Sequence, residues 1–108
     1  KAKASDQNIF SVIQWLRNHF LQENCIETAF EQANISAATL RNHFKQVTGM
    51  TPLQYQKQLR LQEARKLVLS QAMNVQQIAD LVGYESQSQF TREYSRLFGN
   101  SPRQDLQH

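Results

Sequence analysis

The 108 residues predict an all-α protein in which two copies of one small helical unit share a long helix. Three observations carry that expectation. Apolar residues recur with helical spacing, and helix start and stop signals follow one another along the chain. No β-type alternation or Pro/Gly-rich linker intervenes. One pattern of apolar, glycine and proline positions occurs twice.

Residues 1–8 are expected as linker or disordered chain, ahead of a first subdomain over 9–50. Ile9, Val12, Ile13, Leu16 and Phe20 fall on one face of a helix. Asn24, with Glu27 three residues on, reads as an N-cap with a capping box opening a short second helix. A turn at 34–36 leads to a third helix, which Gly49 should stop. Thr51-Pro52 restarts the chain as a linker helix over 51–70, because Thr caps and Pro suits the first helical position. On it Leu53, Leu61, Ala64, Leu67 and Val68 share a face, with Tyr55 and Leu59 nearly opposite, as suits a helix wedged between two cores. The second subdomain, 71–108, opens on the cap pair Asn74 and Gln77 with a short helix to Val82. Gly83-Tyr84-Glu85 then turns, Ser86 and Gln89 form another capping box, Gly99 stops that helix, and Ser101-Pro102 opens a last short one.

Composition narrows the class. With 40% hydrophobic and 19% charged residues the chain has the make-up of a folded domain, and no apolar run approaches the roughly 20 residues of a membrane span. The one cysteine, Cys25, forbids an internal disulfide, fits a reducing cytoplasm and reads as a small packing residue. A net charge of +3 favours a polyanionic partner only weakly. The chain begins at Lys1 without a signal-peptide pattern, as a segment cut from a longer protein would.

The repeat is more informative. Leu40, Phe44, Val47, Gly49 and Pro52 coincide with Phe90, Tyr94, Leu97, Gly99 and Pro102 at a constant offset of 50 (Leu40 to Phe90). Upstream the offset is 49: Ala29, Phe30, Asn34 and Ile35 fall on Ile78, Ala79, Gly83 and Tyr84, so the second copy holds one extra turn residue. Each copy reads short helix, tight turn, longer helix, which is the helix-turn-helix pattern. A pair this short cannot bury a core alone, so each needs a third helix, and the shared helix serves both.

Ile78-Ala79-Asp80-Leu81-Val82-Gly83-Tyr84-Glu85-Ser86-Gln87-Ser88-Gln89-Phe90, followed by Gly99-Asn100-Ser101-Pro102, resembles the signature of the AraC/XylS family of bacterial transcription regulators. Phe44-Lys45-Gln46-Val47-Thr48-Gly49-Met50-Thr51-Pro52-Leu53-Gln54-Tyr55 is similar to that family's first unit, and the likeness runs from about Ile9 to Asp105. The resemblance implies about seven helices and sequence-specific binding of double-stranded DNA. Two recognition helices, about 37–48 and 87–98, would enter adjacent major grooves. It implies a cytoplasmic protein, nucleoid-associated when bound, that activates or represses transcription. RNA polymerase is an implied contact, and a small-molecule effector would act only through an N-terminal domain outside this chain. The isolated chain is expected to be monomeric. One departure stands out: the family's first unit has a bulky aliphatic residue and then Ala where this chain has Ala29-Phe30. Either Phe30 fills the core in place of the aliphatic residue, or the first helix pair crosses at a wider angle.

If Leu40, Phe44 and Val47 face inward, and Phe90, Tyr94 and Leu97 likewise, the opposite faces are the reading faces. By the family pattern Ala38, Arg41 and Asn42 face bases in the first unit, and Gln87, Ser88, Gln89, Thr91 and Arg92 do so in the second. Arg suits guanine O6 and N7, Asn and Gln suit adenine, and Ala38 can touch only a thymine methyl. Ser36, Thr39 and Ser86, with the cations Lys45, Lys57 and Arg96, are the candidate phosphate contacts. Arg41, Lys45, Lys57, Arg60, Arg65 and Lys66 face only Glu63 in acidic charge over that stretch, and Arg65 and Lys66 read as plain solvated surface.

An enzyme is not indicated. His19, His43 and His108 lie far apart, Cys25 has no ligand spacing to any of them, and no phosphate loop, nucleophile elbow or catalytic carboxylate pair is visible, so no cofactor or metal is expected. Two other binding readings remain: a helical protein-interaction module, supported only by Ala29-Phe30, and an RNA or single-strand binder, which would need exposed aromatic platforms.

Overall fold

The computed structural model describes residues 4–33 and 35–106, with side chains from Ile9 onward. Among them are seven helices and no strand: α1 (Ala4–His19), α2 (Cys25–Gln32), α3 (Ala37–Thr48), α4 (Pro52–Ser70), α5 (Val75–Leu81), α6 (Gln87–Phe98) and α7 (Pro102–Leu106). No helix among the described residues is long and apolar enough to cross a membrane. The chain divides into two units, Lys1–Leu59 and Arg60–His108, with the boundary inside α4.

In the first unit Ile9, Val12 and Leu16 of α1 bury against Cys25 and Ala29 of α2 and Leu40 and Phe44 of α3. Tyr55, at the start of α4, packs edge-on against Phe44 with ring centroids 5.4 Å apart. The buried Gln56 amide is satisfied by donating from Nε2 to the carbonyl of Phe20 at 3.1 Å, tying α4 to the chain just past α1. Truncating a fully buried residue such as Leu40 to Ala would cost about 2–5 kcal/mol.

In the second unit Leu61, Ala64 and Val68 of α4 bury with Val75, Ile78, Ala79, Val82, Tyr84, Phe90 and Tyr94. The short α7 docks through its buried Pro102 and Asp105. The Tyr94 hydroxyl donates to Asp105 Oδ2 at 2.7 Å. Asn100 Nδ2 lies 3.5 Å from the other carboxylate oxygen. Five residues could not hold a helix by themselves, so this buried tie and Leu106 fix it.

The two units stop and restart their helices alike. Gly49 (φ 77°) and Gly99 (φ 84°) end α3 and α6 in the left-handed region, and their N–H groups donate to Lys45 and Ser95 carbonyls at 2.7 and 2.8 Å. Thr51 with Gln54, and Ser101 with Gln104, exchange side-chain and backbone hydrogen bonds as reciprocal caps. Asn74 and Gln77 do the same for α5.

Four expectations need correction. Helix α1 begins at Ala4, inside the stretch expected as linker or disorder over 1–8; residues 1–3 lie outside the described residues. Residues 4–8 hold no Gly or Pro to oppose a helix, while apolar periodicity starts only at Ile9. Asn24 occupies the N-cap position, but its backbone is not extended (φ −107°, ψ 30°), so its side chain accepts no cap hydrogen bond and the box with Glu27 does not form. Leu53 is 53% exposed: the first unit's core takes Tyr55 near the start of α4, and the second unit's takes Leu61, Ala64 and Val68 later in the helix. Val47 and Leu97 are 48% and 40% exposed, not inward. The packed ridge instead follows the inclined i, i+4, i+8 row: Leu40–Phe44–Thr48 and Phe90–Tyr94–Phe98.

Candidate nucleic-acid interface

In the first unit, Ser36 caps α3 with extended backbone (φ −64°, ψ 153°) and accepts the Thr39 N–H at 3.2 Å. Its own hydroxyl hydrogen goes to Thr39 Oγ1 at 2.9 Å. Of these two candidate phosphate contacts, Ser36 thus commits its hydroxyl hydrogen to Thr39, whose own hydroxyl donates to no partner among the described residues. With Leu40 and Phe44 fully buried, Ala38, Arg41, Asn42 and Lys45 form one exposed stripe at i, i+3, i+4 and i+7. The candidates on α3 thus gather on a single face. Lys57 is half-buried on α4.

The exchanged pair of α2 has a definite outcome. Ala29, not Phe30, takes the core position, 2% exposed, while Phe30 is half-buried and packs against the same cluster. The small side chain at Ala29 leaves a cleft of about 190 Å³ between α1 and α2, lined by Ser11, Val12, Trp15, Ala29, Gln32 and Ala33. The Phe30 ring carries the Arg41 guanidinium 5.2 Å from its centroid.

The turn of the second unit is built around Gly83 (φ 92°). The Gly83 and Tyr84 N–H groups donate back to the Asp80 and Ala79 carbonyls at 3.1 and 2.9 Å. From α4, Arg60 Nη1 donates to the Gly83 carbonyl at 3.4 Å. Ser86 then caps α6 by accepting the Gln89 N–H at 3.2 Å. The expected capping box is half formed, because the Gln89 amide donates instead to Glu93 Oε2 at 2.9 Å. Glu93 Oε1 in turn accepts the Tyr84 hydroxyl at 2.7 Å. Burial first, and then this bond to Glu93, raise the Tyr84 pKa above the ordinary phenol value.

Outward from the buried Phe90 and Tyr94, α6 presents Ser88, Gln89, Arg92 and Arg96 exposed, with Gln87 and Thr91 half-buried. Gln87, Ser88 and Thr91 border an open hollow of about 410 Å³. Three of the five candidate base-reading residues of α6 thus border that hollow near the start of the helix, Gln89 and Arg92 do not line it, and Arg96 lies in the last turn. Arg65, on α4, stacks its guanidinium 4.8 Å from the Phe98 ring centroid.

Sequence reasoning missed Arg60, Glu93 and the stacking of Arg41. Arg60 lies 23 residues from the carbonyl it meets, so no local pattern marks it. Glu93 had a faint signal. Its counterpart at the offset of 50 is His43, and Tyr84 corresponds to the apolar Ile35. The Tyr–Glu tie thus has no equivalent in the first unit, where the buried Nδ1 of His43 finds no hydrogen-bond partner among the described residues.

Residues 30–108 match the family model described as a helix-turn-helix domain. The chain is 36% identical over 102 residues to the HTH-type transcriptional activator RhaS of Salmonella arizonae, covering 94% of this chain and 37% of that protein. Among solved structures it is similar to a probable AraC family transcriptional regulator from Rhodopseudomonas palustris, with TM-score 0.86, 25% identity and coverage of 94% and 95%. It is also similar to the DNA-binding domain of the global transcriptional factor AdpA in complex with a target DNA, with TM-score 0.82, 25% identity and coverage of 93% and 90%. The family match over residues 30–108 and the likeness to such regulators along nearly the whole chain lead to one conclusion: this chain belongs to the helix-turn-helix family of AraC-type transcription regulators, whose work is sequence-specific DNA binding.

Proposed function

We propose that each unit lays its second helix, α3 or α6, in a major groove of double-stranded DNA, the two in adjacent grooves, and so directs a transcription regulator to its operator. The observation that carries this reading is that Leu40 and Phe44 of α3, and Phe90 and Tyr94 of α6, are fully buried while residues able to hydrogen-bond lie exposed or half-buried on the other side near each helix start. Arg41 and Arg92 bridge guanine O6 and N7, Asn42 and Gln87 meet adenine, and Ala38, Ser88, Gln89 and Thr91 complete the base-facing set. Thr39, Lys45, Lys57, Arg96 and the capped helix starts at Ser36 and Ser86 hold phosphates, which position the protein without reading sequence.

The regulator works in the bacterial cytoplasm, associates with the nucleoid when bound and contacts RNA polymerase, a role that its likeness to a protein named as an activator supports. A small-molecule effector acts only through another domain of the whole protein, and the isolated chain is a monomer.

Selection of sites from random duplex DNA, followed by footprinting of the winners, tests the core of this. The expected result is an enriched sequence protected over about two helical turns, roughly 20 base pairs. Failure to enrich any sequence would refute the reading, and protection of one half-site alone would remove the first unit from it.

A further inference from the structure

We propose that Phe30 is a positioning residue for base readout: its ring holds the Arg41 guanidinium in the pose in which it meets the groove. The inference rests on the DNA-binding reading above and deepens it at one side chain.

Phe30 packs against the core cluster without being fully buried in it. Ala29 takes the buried position beside it, and Phe30 stays half-buried with part of its surface toward α3. The guanidinium sits 5.2 Å from the ring centroid, inside the roughly 6 Å range of cation–π attraction. A cation over a ring face is held without using up a hydrogen-bond acceptor, so the guanidinium keeps donors to offer to a base. An exposed arginine otherwise samples many rotamers, and ordering it on contact with a base costs entropy. A ring that holds it beforehand reduces that cost. The two residues also occur together: the second unit has Ala79 in place of Phe30 and Thr91 in place of Arg41, so ring and cation are both missing there. The Ala29-Phe30 order thus puts the small side chain in the buried position and the ring beside Arg41 of α3.

The experiment compares wild type, Phe30→Leu, Phe30→Trp, Arg41→Ala and Phe30→Leu/Arg41→Ala on the selected duplex and its single-base variants. Arg41→Ala identifies the position that Arg41 reads as the one whose preference collapses. Phe30→Leu, which keeps apolar bulk, should weaken preference at that same position by roughly two- to fivefold, the worth of an exposed cation–π contact. Phe30→Trp should retain it, and Phe30→Leu should add nothing once Arg41 is gone. Thermal melts check that each variant is folded. Ring-current shifts of the Arg41 side-chain protons in the free protein, lost in Phe30→Leu, report the stacking independently of DNA.

An equal loss on every sequence, additive effects of the two substitutions, or an unchanged preference in Phe30→Leu would overturn the proposal. If Arg41→Ala alters no base preference while the ring-current shifts are present, the stack is real but the reading of Arg41 as a base contact is what fails.

Discussion

Gly83→Ala offers the sharpest test of how the second unit holds its turn. At φ 92° an alanine sits in the left-handed region, which costs about 1–2 kcal/mol relative to glycine. The new Cβ would also lie 2.6 Å from Arg60 Nη1 and 2.9 Å from its Cζ, closer than such atoms approach. Arg60 is long enough to swing aside, so the clash itself need not persist; what goes with it is the hydrogen bond to the Gly83 carbonyl. At 3.4 Å and partly exposed, that bond contributes about 1 kcal/mol at most. The sum is roughly 1–3 kcal/mol, or a fall in Tm of roughly 5–10 °C for a domain of this size. Gly99→Ala is the control in the same unit: its φ is 84°, but nothing lies within 4 Å of the added Cβ. It should cost the backbone part alone. Circular-dichroism melts of both variants, each also made in an Arg60→Ala background, separate the contributions. Gly83→Ala should be the more damaging in the native background and equal to Gly99→Ala once Arg60 is removed. Equal melting of the two with Arg60 present would refute the clamp, and a wild-type Tm for Gly83→Ala would refute the backbone argument as well.

Arg92→Ala should cost roughly 1–3 kcal/mol of specific binding and relax preference at one base pair in a gel-shift series; uniform loss across sequences would count against it. Lys45→Ala should weaken all sequences alike and lower the slope of log K against log salt by about one, and an unchanged slope would remove it from the phosphate set. Stability should fall as pH rises above about 10. Burial, and then hydrogen bonds to Glu93 and Asp105, raise the Tyr84 and Tyr94 pKa values above the ordinary 10.0. The unfolded chain therefore releases phenolic protons that the folded one keeps, so this contribution is whole below the unfolded pKa and lost above it. Urea midpoints at about pH 9 and pH 11 should show the decline, and Tyr94→Phe should make it shallower; a flat profile would contradict the linkage.

What could be read in advance is what depends on neighbours three or four residues apart. The Asn74 cap, the left-handed stops at Gly49 and Gly99 and the outward stripes of α3 and α6 follow from local geometry. Asn24 shows where that ends: a cap needs an extended backbone, and the turn after α1 sets a different one. Val47 and Leu97 have the right period for burial, yet the direction of the packing ridge, a property of helix pairs, leaves them exposed. Ties such as Gln56 to Phe20 and Arg60 to Gly83 span 36 and 23 residues and leave no periodic trace. The Ala29-Phe30 exchange lay between these cases. Its oddity was visible in one line of sequence, but only the placement of α3 puts the Arg41 guanidinium over the ring.

Cys25 gives the first unit a built-in clock. It is the one cysteine of this chain, and it lies fully shielded in the cluster with Ile9, Leu16 and Phe44. A sulfhydryl reagent in solution must wait until those helices part, so the rate of labelling counts openings of that core. Run with and without duplex DNA, the same reaction would time how firmly an occupied groove keeps α1, α2 and α3 closed.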